Sequence, residues 1–181
     1  LWDQNHDGAC AVTTINDESV VGPTNRRLDE FEIFVRDIRS LDILHKVLQH
    51  GEQSITEILS VDKEFGWTSN FRDFHGTERR GDIPLHYVHQ GKRLVGYIER
   101  QRVHKSPEMI DTWKVMVPKA YGERSARPAK ILGPTLIASS PSVCTQSFLF
   151  FYVNGERAAK SIDSYLRTRF FRFLVSLRKI T

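Results

Sequence analysis

The sequence predicts a mixed α/β fold of the α+β kind: one domain with a mixed sheet, closed by a long helix at the C-terminus. Three observations carry that expectation. Ser147-Phe-Leu-Phe-Phe-Tyr-Val153 is β-branched and aromatic and carries no charge, the pattern of a buried strand. Asn154-Gly155 breaks it and Glu156 suits a first helical turn. Ile162, Leu166, Phe170, Phe173/Leu174 and Leu177 then recur at spacings of three and four, which is one apolar stripe of an α-helix. Third, strand-like runs upstream are interspersed with a segment of helical period.

Taken in order, Asp7-Gly8 is a turn signal, and Ala9-Cys-Ala-Val-Thr-Thr-Ile15 reads as a strand ended by Asn16-Asp-Glu. Gly22-Pro23 marks a break. Phe31, Ile33 and Val35 alternate within Leu28 to Val35, predicting a short half-exposed strand. From Arg36 to Gln49 the period changes: Ile38, Leu41, Ile43/Leu44, Val47 and Leu48 give an amphipathic helix with Gly51 as its stop. Ser54 to Asp62 is ambiguous. Phe65-Gly-Trp-Thr-Ser-Asn-Phe-Arg-Asp-Phe-His-Gly76 fits neither period and reads as a loop, extended by Arg79-Arg80-Gly81. Leu85 to Val88 and Arg93 to Glu99 flank Gln90-Gly91, a β-hairpin pattern. Arg100 to Lys105 is a basic run, Ser106-Pro107-Glu108 opens a helical turn, and Trp113 to Val117 is another strand. Ala120 to Lys130 is a Gly/Ser/Pro/Arg loop, and Ile131 to Ile137 leads to the terminal strand and helix. No internal repeat or low-complexity tract occurs.

The 181 residues suffice for one domain with a real core. Apolar and charged fractions of 40% and 27% are ordinary for a globular protein. No run approaches the ~18 apolar residues of a transmembrane helix, and no charged-then-apolar leader is present. An opening at Leu1-Trp2 without Met suggests a fragment of a longer protein. Cys10 and Cys144 are too few for a disulfide framework and have no metal-ligand spacing; both read as reduced, buried thiols of a cytoplasmic protein. The net charge of +4 conceals an asymmetry. Residues 1–90 hold 9 Lys/Arg against 16 Asp/Glu, and residues 91–181 hold 17 against 6. Basic surface concentrated in one half suits a polyanion, although acidic and basic halves can also pack on one another.

A resemblance rests on several ordered motifs. Tyr165-Leu-Arg-Thr-Arg-Phe-Phe-Arg-Phe-Leu-Val-Ser-Leu-Arg-Lys179 resembles the C-terminal helix of adenine-specific (N6) DNA methyltransferases of bacterial restriction–modification systems. Upstream, Trp113-Lys-Val-Met-Val-Pro-Lys-Ala-Tyr-Gly122 and Ile131 to Tyr152, with Ser142-Val-Cys-Thr-Gln-Ser147 inside it, are similar to the same region in the same order. The likeness is good from about residue 110 onward and thin before it, where Leu1-Trp-Asp3 and Phe65-Gly-Trp-Thr-Ser-Asn-Phe71 also match. Gln146 stands where an acid is expected in the Cys-Thr-x-Ser motif. The resemblance implies that residues 1–20 are the end of a preceding catalytic domain. Residues 21–153 would form a target recognition domain and 154–181 a basic amphipathic helix. Its implied partners are double-stranded DNA and the catalytic domain of the same chain, in a bacterial, nucleoid-associated, cytoplasmic setting without a membrane.

Methylating adenine takes a glycine-rich turn for S-adenosylmethionine and an Asn/Asp-Pro-Pro-aromatic tetrapeptide for the flipped base. Neither occurs here, so no cofactor is expected in this segment, S-adenosylmethionine belonging to the catalytic domain. For DNA the useful groups are cations to phosphate and Arg, Asn, Gln or Ser to base edges. Asn70, Arg72, Arg79 and Arg80 form a first set, Arg100, Arg102 and Lys105 a second, and Lys119, Arg124, Arg127 and Lys130 a third. Each can equally be solvated loop charge. Arg157, Lys160, Arg167, Arg169, Arg172, Arg178 and Lys179 surround the terminal apolar stripe, which suits docking on a protein with cations left for phosphate or acid.

Two alternatives stand beside this reading. In one, the terminal helix joins subunits and the basic loops are incidental. In the other, the segment is a Mg²⁺-dependent restriction nuclease, with Asp82 and Glu99-Arg100-Gln101 as metal-site candidates; there Gln101 occupies the usual Lys position. His86 and His89 lie three apart on a strand and face opposite sides, and His45 and His50 are five apart. All seven His read as surface or structural rather than as zinc ligands.

Overall fold

The computed structural model describes residues 8–16, 19–32, 34–120 and 131–178. The fold is a mixed α/β one, and the chain divides into two compact units, residues 1–54 with 174–180 and residues 55–173. No helix among the described residues is long and apolar enough to cross a membrane.

The first unit is built on a hairpin of β1 (Ala9–Asn16) and β2 (Ser19–Arg27), antiparallel, with an irregularity between Val12 and Thr14. The first strand is the expected one. The second was not expected, because Gly22-Pro23 lies inside it rather than ending a segment; proline is tolerated in a strand whose N–H side has no ladder to join. The boundary expected at residue 20 therefore falls within β2. The strand expected over Leu28 to Val35 is absent from its described residues, which form turns and irregular backbone. Polar side chains claim the carbonyls that a ladder would use: Arg26 Nη1 donates to Val35 O at 3.0 Å and Thr14 Oγ1 to Arg36 O at 2.9 Å. The helical period that follows is realised as a 3₁₀ turn, Ile38–Ser40, leading into α1 (Leu41–Gln49).

The second unit holds two three-stranded sheets. One places β4 (Lys92–Glu99) beside β3 (Asp82–His89), with β7 (Val143–Cys144) parallel to β3. The other places β5 (Trp113–Pro118) between β6 (Leu136–Ala138) and β8 (Phe148–Val153). Residues directly opposite in an antiparallel pair share a face. Ile83 with Ile98 and Leu85 with Gly96 thus form the inner face of the first sheet, and Met116 with Phe150 that of the second. These side chains join Phe65, Val103, Ile110 and Val143 in one core. The loop of residues 65–76 caps it with a run of ring contacts: Trp67 stacked on Phe71 at 5.0 Å, then Phe71 tilted against Phe74 and Phe74 against Tyr87 at 4.7 Å. Gly96 is what lets Phe74 lie there, since a Cβ at that position would sit 2.4 Å from Cδ2 of Phe74.

The long terminal helix is two helices, α2 (Glu156–Leu166) and α3 (Arg169–Arg178). The break is chemical. The Thr168 hydroxyl donates to Tyr165 O at 2.7 Å and accepts the Phe171 N–H at 3.1 Å, closing one helix and capping the next. Ala159 and Leu166 of α2 are buried, and Phe171 of α3 meets Tyr165 and Phe151 edge-on.

Candidate nucleic-acid interface

The β3–β4 hairpin organises the candidate residues, because its two ends carry different sets. At the turn end, residues 69–72 of the aromatic loop, the Gln90-Gly91 turn, the end of β5 and the Gln146-Ser147 link surround a cleft of about 690 Å³. Asn70 and Arg72 of the first expected set and Lys119 of the third are brought together there with His89, Gln90 and Gln146.

Arg72 fixes the geometry of this end. Its Nη1 donates to Phe71 O at 2.6 Å and Ser69 O at 2.9 Å, its Nη2 lies 3.1 Å from His89 Nδ1, and its guanidinium sits over the Tyr87 ring at 5.4 Å. Lys119 Nζ lies 2.7 Å from Asp62, and Gln146 Nε2 donates to the same carboxylate at 3.2 Å. The Lys119 ammonium, first, and then Gln146 hold the Asp62 carboxyl below the usual carboxylate range. The Asn70 and Gln90 side chains are exposed and make no hydrogen bond to another described residue. Arg124, Arg127 and Lys130 lie outside the described residues, as does Lys179.

The opposite end has a second cleft of about 690 Å³, lined by Arg79, Arg80, Asp82, Glu99, Arg100 and Gln101 among others. Most of its cations are engaged. Arg79 Nη1 lies 2.9 Å from His75 Nε2, and His75 Nδ1 lies 2.9 Å from the buried Asp82 carboxylate. Arg100 forks onto Asp111, whose carboxyl is held below its usual range by that contact. Arg102 and Lys105 of the second expected set do not line this cleft; Arg102 pairs with Asp73, and Lys105 donates to Lys63 O at 2.7 Å. Arg80 is exposed. Asp82 and Glu99, the nuclease candidates, are directly opposite in the hairpin register. The Asp82 carboxylate takes a bond from His75 and one from the Arg79 N–H, and Gln101 donates to Glu99 at 2.9 Å. No group of three or more His, Cys, Asp or Glu side chains among the described residues is placed to hold a metal ion.

Between the ends lies a group that sequence reasoning missed. Lys114 is wholly buried on β5, with Nζ donating to Thr112 O at 2.8 Å and Ile110 O at 3.2 Å. The Phe150 and Phe65 rings lie 5.7 and 6.0 Å from it. Burial brings its pKa down to about 8. Burial, with Lys114 adding to it, pushes His86 down to about 4, and burial pushes the Cys144 thiol up to about 12. Cys144 is a free, buried thiol, whereas Cys10 is free and half-buried.

Among the cations of α2 and α3, Lys160 pairs with Glu156 at 2.7 Å and Arg167 with Asp163 at 2.9 Å, both one turn apart. Arg157, Arg169 and Arg172 are exposed. Gln90 and Gln146 are the site residues missed from sequence: Gln90 registered only as a turn former, Gln146 only as a departure from a motif. Comparison with protein-family models, curated proteins and solved structures returned no match to this chain.

Proposed function

We propose that this chain recognises double-stranded DNA by sequence, as the target recognition domain of a restriction–modification N6-adenine methyltransferase. The observation that carries the reading is the turn-end cleft. It gathers amide side chains, Asn70, Gln90 and Gln146, beside Lys119, which precedes an Arg- and Lys-containing stretch of sequence. Amides match base edges and cations match phosphates, so one surface offers both. Methyl transfer and S-adenosylmethionine belong, in this reading, to a catalytic domain outside these residues, in a bacterial cytoplasm. The cations of α2 and α3 add phosphate contacts or meet that domain.

Binding of the chain to a mixed-sequence duplex across a salt series, read by fluorescence anisotropy, tests this. Micromolar binding should weaken steeply from low to moderate salt and weaken further in a Lys119/Arg124/Arg127→Ala triple variant. Absence of binding at low salt would overturn it.

A second reading, a subunit assembly module, is favoured by the first unit. Phe31, Leu44, Val47, Leu48, Leu174 and Leu177, with Glu30 and Glu32, line a mostly apolar cleft of about 400 Å³, a surface suited to protein contact. Association through it would be insensitive to salt, which separates the two readings.

A further inference from the structure

The β3–β4 connection has a feature that hairpin formation does not require. Gln90 and Gly91 both have positive φ, +48° and +74°, and form a two-residue loop of the kind whose twist matches the strands. Such a turn favours Asn, Asp or Gly at its first position, and a longer side chain in the left-handed region is uncommon. Residues kept in sparsely populated backbone regions cluster at functional sites. Gln90 is exposed at the tip, and its amide makes no hydrogen bond to another described residue. The turn beneath it is braced, because Arg72 ties His89 to the carbonyls of Ser69 and Phe71. A braced tip presenting an unengaged amide is a preorganised contact.

We propose that the β3–β4 turn enters the major groove and that Gln90 reads adenine there through N7 and the N6 amino group; this rests on the DNA-recognition reading above. A two-stranded ribbon fits a groove about 12 Å wide. The glutamine amide presents one donor and one acceptor, as adenine does on that edge, whereas guanine offers two acceptors. Gln146 is less suited, since its amide nitrogen already donates to Asp62.

The test uses the whole 181-residue chain with duplexes selected from a randomised pool, then varied one base pair at a time at fixed salt. The wild type should prefer adenine at one position by about tenfold, and 7-deazaadenine there should remove the preference. Gln90→Gly, which accepts the same backbone conformation, should flatten that position and no other. Lys119→Ala should instead weaken all sequences alike. Salt-sensitive binding with no adenine preference, or with one that survives Gln90→Gly, overturns the assignment of Gln90 and leaves DNA recognition standing. Absence of any duplex binding overturns DNA recognition itself, and the assignment with it.

Discussion

Two clefts of equal volume, about 690 Å³ each, lie at opposite ends of the β3–β4 hairpin, and they differ in what their polar groups already hold. At the strand-end cleft and its surroundings, Arg79, Arg100, Arg102 and Lys105 each have an internal partner. At the turn end, Asn70 and Gln90 make no bond to another described residue, and only Arg72, Lys119 and Gln146 are tied down. A cation neutralised by a neighbouring carboxylate has little net attraction for a phosphate. Counting Arg and Lys therefore overstates both ends, since Arg72 and Lys119 are held as well, and counting unengaged amides picks out the turn end. Charge sets where a polyanion could be drawn; availability sets where it could be read.

The largest test of this contrast concerns Lys114, a cation removed from water altogether. Its folded-state pKa of about 8 lies below the ordinary 10.5, so between those values the unfolded chain binds more protons than the folded one. The Lys114 contribution to stability should therefore rise with pH through that window, by something on the order of 3 kcal/mol. His86, ordinarily at 6.5 and brought to about 4, acts outside it. The Cys144 thiol, moved from 9.0 up to about 12, opposes the rise above pH 9, because there the folded chain keeps a proton that the unfolded one loses. Urea midpoints of the wild type should gain on those of Lys114→Met as pH rises across the window; a constant difference would mean that Lys114 is not buried as a cation. A smaller effect is expected at Gly96, halfway along the hairpin. A Gly96→Val side chain would drive into Phe74, 2.4 Å from the added Cβ, costing about 2 kcal/mol. Because the aromatic loop carries both Arg72 and Asp73, this variant should disturb both clefts together. A loss below about 0.5 kcal/mol would mean that Phe74 swings aside and the ends are independent.

The same distinction explains what was legible in the sequence. The hairpin and its Gln90-Gly91 turn, β5 and α1 could be read because period and turn chemistry are local. The two-residue β7 is too short to have a period, and β2 was hidden by a proline that this strand tolerates. One helix was expected where there are two, because the spacing of apolar residues carries across the break; the break shifts the buried position, so that Phe171 rather than the expected Phe170 packs beyond Leu166 and Phe170 is exposed. Thr168 was the missed signal, a capping residue inside an apparently continuous stripe. The site residues could be named but not sorted. Asp111 and Asp73 lie 11 and 29 positions from the arginines they hold, and no local pattern reveals such pairings. Lys114 looked like an ordinary strand position because its partners are backbone carbonyls.

The smallest effect sharpens the comparison most. Arg102→Ala removes the pair with Asp73 and a 3.1 Å bond to the Asp73 carbonyl. Because the Asp73 side chain is largely exposed, the loss of stability should be no more than about 1 kcal/mol. If the internal pairing leaves Arg102 unavailable to phosphate, the variant should keep the wild-type dependence of DNA binding on salt. Lys119 is paired as well, but through a single contact with Asp62 and without the added backbone bond that Arg102 has. Its ammonium can therefore turn to a phosphate, and Lys119→Ala should do the reverse. Its exposed pair with Asp62 matters little for folding, while the salt slope should fall by about one counterion. Chemical denaturation and the slope of log K against log salt, measured on both variants, separate the two. Equal slope changes would mean that DNA draws Arg102 away from Asp73, and the two ends of the hairpin would then form one binding face.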